Sequence, residues 1–257
     1  MPGRWLRRQL RLVPALLVPT ARAVGWAAPL AGFALSLGLL GLAVRPGLEL
    51  PAGRLVLWLR LAMTAGALGC AFLLDDPSEP TTEGVAGSLL LRRSLRVALL
   101  LPATAAWWAA VMWRVRAVHP GLPLPVAALT LEAAALLAVT VALAAAGSHL
   151  APERRGGVVA APALLALTSA AFLLPARVAL YAEPGGAAWD GAHRRWALLG
   201  GLALATFAAA SRDPAHRRLP GRLRGLAHGR TRGRATRAEA GRTGSPDAAG
   251  RVERSVG

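Results

Sequence analysis

The chain has 257 residues, 54% of them hydrophobic, a mean hydropathy of +0.44 and a formal charge of +17. Its charges are bunched, with long apolar runs between the bunches. That pattern excludes an ordinary soluble domain with mixed charges along its helices and points to bilayer spans joined by short loops. All thirty basic residues are Arg, and Ile and Asn are absent as well as Lys. The codons for those three residues are rich in A and T, so the chain reads as the product of a high-GC genome rather than as selection for the guanidinium group.

In chain order, Arg4, Arg7, Arg8 and Arg11 come first, followed by the apolar stretch Leu12–Thr20 and then Ala21-Arg22-Ala23. The layout resembles a signal peptide, but Pro14 and Pro19 break the apolar run and Arg22 interrupts the small residues. At helical spacing the four arginines share one face, with Trp5, Leu6, Leu10, Val13 and Leu17 elsewhere around the helix. Residues 1–22 therefore read either as an interfacial helix among the inner headgroups or as a plain basic flank to the first span.

Crossing a hydrocarbon core of about 30 Å takes about 20 residues. Six stretches approach that length: Ala23–Val44, Leu55–Leu74, Val97–Val118, Leu124–Ala146, Gly157–Leu180 and Trp196–Ala210, the last short and able to begin nearer Ala192. Lipid offers the backbone no hydrogen bonds, so each is expected to be helical, and residues 23–211 to form an all-α, polytopic transmembrane bundle. With the N-terminus inside, sixteen arginines flank the inner span ends and eight the outer, which predicts both termini in the cytoplasm. From Arg212 onward twelve arginines meet four acids, and large apolar residues almost vanish. Residues 212–257 are expected to be a disordered cytoplasmic tail, since they cannot bury enough surface to offset chain entropy. Beside a membrane this charge serves orientation and binds anionic lipid headgroups rather than nucleic acid.

Ionisable side chains inside spans are costly and draw attention first. Arg60, Arg114, Glu132 and Arg177 fall in the outer halves of the predicted spans. Glu132, about two turns into the fourth, is too deep for a short carboxylate to reach headgroup water and needs a partner, for which Arg60 or Arg114 is the natural candidate. The pair is either a polar site on a substrate path or a structural ion pair with snorkelling arginines. The loop Asp75–Arg96 carries four acids, but their spacing matches no metal loop, and Pro77 and Pro80 favour a turn. Its end, from Ser88 through Arg92, Arg93 and Arg96, reads as a short amphipathic helix at the inner face, which either docks onto a cytoplasmic partner or merely leads into the third span.

The remaining chemistry is sparse. Cys70 is the one cysteine, so no intrachain disulfide forms. His119, His149, His193 and His216 show no zinc-binding spacing, and no phosphate-binding loop or nucleophile elbow occurs. Neither a cofactor nor an enzymatic activity is expected.

The segments FLLDDPSEPTTEGVAGSLLLRRSLRVALLLP, residues 72–102, and WDGAHRRWALLG followed by ASRDPA, within residues 189–215, carry a resemblance. They resemble multi-span actinobacterial membrane proteins proposed as permease subunits of ATP-binding-cassette transporters, over roughly residues 23–215. The wider type-2 exporter permease group implies six spans, an amphipathic N-terminal helix and a coupling helix in the first cytoplasmic loop. A separate ATPase subunit docks on that loop, and two permease chains pair. The matching positions are Arg4–Thr20 and Ser88–Arg96, while a large extracellular insertion and a glutamate-led coupling motif are absent. The resemblance implies a plasma-membrane permease, with Arg92, Arg93 and Arg96 bordering the ATPase-docking surface and Glu132 with Arg60 lining or bracing the outer pathway. A non-transporting membrane scaffold or assembly factor is the alternative.

Overall fold

Proline and glycine at the ends of aliphatic runs set the element boundaries. The computed structural model describes residues 20–22, 24–48, 50–75, 89–151 and 155–212. Among them six α-helices follow one another: α1 Ala27–Ala43, α2 Ala52–Cys70, α3 Leu89–Val118, α4 Val126–Gly147, α5 Gly156–Leu173 and α6 Trp189–Ala210. A single 3-10 turn, Ala176–Val178, lies between α5 and α6, and the described residues contain no strand. The basic N-terminal segment up to Pro19, Ser88 and the tail from Asp213 lie outside the described residues.

Three helices, α3, α4 and α5, are long and apolar enough to cross a membrane. Helix α1 is apolar but has 17 residues. The chain is therefore an all-helical protein with the makings of a membrane protein. Pro51 and Pro125 immediately precede α2 and α4, where a missing N–H leaves no helical bond unmade. Helix α5 stops at Leu173 because Pro175 drives the preceding Leu174 into an extended conformation, ψ 136°. The predicted fifth span was to reach Leu180, so Arg177 lies in the 3-10 turn rather than in a span.

Residues Leu89–Arg96, expected as a short amphipathic helix that docks a partner or leads into the third span, are the first two turns of α3 and continue without a break into Val97. At 1.5 Å per residue this 30-residue helix is about 45 Å long, more than the hydrocarbon core requires. Pro102 inside it removes one backbone donor, and the Thr104 hydroxyl donates to the Leu100 and Leu101 carbonyls nearby.

Helix directions alternate. At one end, Asp75 beyond α2 accepts a hydrogen bond from the Gly157 N–H of α5, and Arg93 near the start of α3 donates to Ala145 and Ala210 near the ends of α4 and α6. At the other end, Arg114 of α3 donates to the Val44 carbonyl just past α1, and Arg60 of α2 reaches Ala182 before α6. Helices α1 and α2 pack as one close pair, and α4 packs against both α5 and α6.

Small residues permit the closest of these contacts. A Cβ at Gly32 would lie 2.8 Å from the Gly69 Cα, and a Cβ at Gly69 would lie 2.5 Å from the Ala28 carbonyl oxygen. Ala28 and Gly32 on α1 thus face Ala65 and Gly69 on α2, a small-xxx-small pairing on both helices. Next to it Trp107 of α3 lies flat on Gly66, stacks on Phe33 with ring centroids 5.1 Å apart, and donates to the Ser36 hydroxyl at 3.1 Å.

Candidate functional site

Arg60, two turns into α2, points inward although guanidinium is the most strongly basic side chain. It is 6% exposed and Glu132 only 1%. The cost of burying both is met by a two-point contact: Arg60 Nε donates to Glu132 Oε2 at 2.9 Å and Nη2 to Oε1 at 2.8 Å. A third bond, from Nη2 to the Ala182 carbonyl at 3.0 Å, ties the pair to the segment before α6. The guanidinium carbon also lies 4.8 Å from the centroid of the Tyr181 ring, whose π face favours a cation.

His193 completes the cluster from α6. Its Nδ1 is 2.8 Å from the Trp189 carbonyl, and a carbonyl can only accept, so Nδ1 carries the hydrogen. Nε2 then faces Glu132 Oε1 at 3.1 Å, within ion-pair distance but off the line of a hydrogen bond. A lone pair on Nε2 would repel the carboxylate, so the contact is attractive only when a proton lies on one of the two groups. The Trp189 ring, 4.3 Å from the imidazole, covers its other side.

An irregular strap holds this end of the bundle. Between α5 and α6, Arg195 donates to the Ala179 and Arg177 carbonyls at 2.6 and 2.7 Å, and the Trp196 indole donates to Leu180 at 2.8 Å. Tyr181 packs between Phe172 and Trp196 with tilted rings, at 4.4 and 5.5 Å. Four carbonyls of the strap, those of Arg177, Ala179, Leu180 and Ala182, are thus bound by side chains, as a segment next to lipid would require.

Of the residues singled out from the sequence, Arg60 and Glu132 come together. Arg114 does not join them but donates to Val44 at 3.3 Å, and Arg177 lies exposed in the strap. At the opposite end Arg93, 4% exposed, donates to the Ser148 hydroxyl at 2.7 Å and to two helix-terminal carbonyls, and Arg96, 9% exposed, donates to Leu74 at 3.4 Å. The Arg93 guanidinium thereby meets the negative ends of the α4 and α6 dipoles, and Arg96 binds the turn that follows α2. They lie beneath the surface at the start of α3, where Arg92 is half-buried.

His193 and Tyr181 are the functional residues that sequence reasoning missed. The sixth span was expected to begin at Trp196 or nearer Ala192, whereas α6 starts at Trp189 and puts His193 at the depth of Glu132. Counting depth from a helix start at Trp189 would have found it. No group of His, Cys, Asp and Glu able to hold a metal ion occurs among the described residues. No family model, curated protein or solved structure matches the chain.

Proposed function

We propose that the chain spans the cell membrane six times with both termini in the cytoplasm. We further propose that it forms the permease subunit of an ATP-binding-cassette exporter, paired with a second permease chain and driven by a separate ATPase subunit. The alternating helix directions support six spans, because the ends of α1, α2 and α6 meet the ends of α3, α4 and α5 at the two ends of the bundle. The polar residues that lower the hydropathy of α2 and α6 also support it, since Arg60 and His193 turn inward onto Glu132 rather than toward lipid.

The observation that carries the permease reading is the Arg60–Glu132–His193 cluster. A buried ion pair contributes little net stability compared with apolar packing of the same volume. Ionisable groups from three helices at one depth are therefore better explained by a charged site that works than by a brace alone. The ATPase would dock around the start of α3, where Arg92 is half-buried over the layer that Arg93 and Arg96 form beneath it.

Affinity purification of the tagged chain from its own cells in mild detergent tests this. The expected result is a stoichiometric ATPase with a phosphate-binding loop, whose ATP hydrolysis falls in Glu132→Gln while co-purification persists. Intact protein recovered without any such ATPase overturns the permease and leaves the membrane scaffold.

A further inference from the structure

The His193 ring has an acceptor at each nitrogen. Nδ1 lies 2.8 Å from the Trp189 carbonyl oxygen, and Nε2 lies 3.1 Å from Glu132 Oε1. Neutral imidazole has one N–H and one lone pair, so either tautomer sets the lone pair against an oxygen. With the hydrogen on Nδ1 the lone pair faces the carboxylate, and with the hydrogen on Nε2 it faces the carbonyl. Only imidazolium offers a hydrogen to both. Nε2 is buried without another hydrogen-bond partner, and 3.1 Å leaves no room for water between it and Oε1.

The surroundings decide where the extra proton lies. Glu132 is the only ionisable residue of α4, and α5 has none. From α2, Arg60 binds both carboxylate oxygens, a two-point contact that takes an ionised carboxylate, so the proton belongs on the ring rather than on Glu132. The positive charge of the cluster is shared with two π faces, Tyr181 of the strap at Arg60 and Trp189 at the imidazole. The other charges of these elements turn elsewhere. Arg195 binds the Ala179 and Arg177 carbonyls, and Arg54, Glu183, Asp190 and Arg194 are exposed. We propose that Glu132 and His193 form a binding site for one proton, carried on Nε2, which joins α6 to α4 at the strap end of the bundle. The His193 side chain is 11% exposed, so the proton comes from the water at that end. Hydronium gives it to the Nε2 lone pair, an N–H bond forms and water leaves. With the proton bound, one carboxylate joins α2, α4 and α6; without it the ring is repelled from Glu132, which keeps Arg60. This is the site that carries the permease reading, but the assignment rests on its geometry alone and holds equally for a scaffold.

The test is NMR of the full chain in detergent micelles, labelled with 15N-histidine and 13C-glutamate, with no ATPase present. The His193 signals are those lost in His193→Gln, and the Glu132 signal is the one lost in Glu132→Gln. Wild type at neutral pH is expected to show two protonated ring nitrogens on His193 and an ionised Glu132. Glu132→Gln is expected to lose the Nε2 proton and keep the one on Nδ1, and raising the pH is expected to give the same pattern in wild type. A neutral His193 beside an ionised Glu132 in wild type overturns the site, and a neutral His193 beside a protonated Glu132 overturns the assignment to the imidazole. Imidazolium that persists in Glu132→Gln overturns the part given to the carboxylate. If that variant does not fold, a through-space contact between the Nε2 hydrogen and the Glu132 carboxylate carbon in wild type decides the same point, and its absence overturns it.

Discussion

Glu132 lies between Arg60 and His193, and the asymmetry of these contacts decides how it responds to change. Arg60 has the Ala182 carbonyl and the Tyr181 ring as well as the carboxylate, but Glu132 has only Arg60 and His193. Glu132→Leu leaves a guanidinium buried without its counter-charge and is expected to cost about 3–5 kcal/mol. The double change Arg60→Met with Glu132→Leu removes both charges and is expected to recover most of that loss. Equilibrium unfolding in detergent checks this, and a double variant no more stable than the single one would show that the aliphatic replacements do not pack. The Arg60–Glu132 pairing was legible because a carboxylate two turns inside an apolar run must find a cation at the same depth. His193 was not legible, because its depth depends on where α6 starts. That start is set by Ala188 and the Asp190-bearing first turn rather than by an apolar run.

The α1–α2 contact shows the same dependence on backbone, now between elements. Gly69→Ala adds a methyl against the Ala28 carbonyl, a rigid neighbour, and is expected to cost about 1–3 kcal/mol as the helices separate. Gly201→Ala on α6 meets nothing within 4 Å and is expected to be neutral or to stabilise by up to about 1 kcal/mol. Thermal melts of the two variants side by side check both signs. The Asp75 junction between α2 and α5 behaves differently with pH. Burial raises the Asp75 pKa from 3.8, against the pull of the Gly157 N–H, the Arg155 charge and the Gly156 N–H. The folded chain thus holds this proton more firmly than the unfolded chain, so its contribution is fully present at low pH and declines as pH rises above 3.8. Asp75→Asn keeps an acceptor for Gly157 and is expected to remove that decline, so wild type and variant converge in melting temperature on acidification. A wild-type loss on acidification that Asp75→Asn abolishes would reverse the sign. Helix existence was legible throughout, since 20-residue aliphatic runs leave the backbone no alternative in lipid. Helix ends were less so: Pro175 cut α5 short, and with no breaker before Val97 the amphipathic element leads straight into the third span as one helix, α3.

For the molecule as a whole, the ends of the bundle differ in how they use arginine. At one end Arg93 caps helix carbonyls, Arg96 binds the turn after α2, and Arg155 precedes α5. At the other Arg60 and Arg195 are drawn into the strap, and Arg114 into the Val44 carbonyl. Three of the eight arginines on the proposed outer side, Arg60, Arg114 and Arg195, are bound in this way within the protein, which weakens their part in a positive-inside count. The proposed orientation would put the α3–α4 and α5–α6 connections outside, with the α1–α2 connection, and the tail inside. Cys70 is fully buried, so the natural thiol gives little background with an aqueous reagent. In a Cys70→Ala chain, Gly121→Cys and Ala187→Cys place single thiols on two of these outer connections, at exposed positions. Ser245→Cys places one in the tail. A membrane-impermeant maleimide is expected to label the first two on intact cells and the third only after lysis. Labelling of Ser245→Cys on intact cells, with the other two protected, would invert the bundle and move the Arg93–Arg96 layer to the outer leaflet.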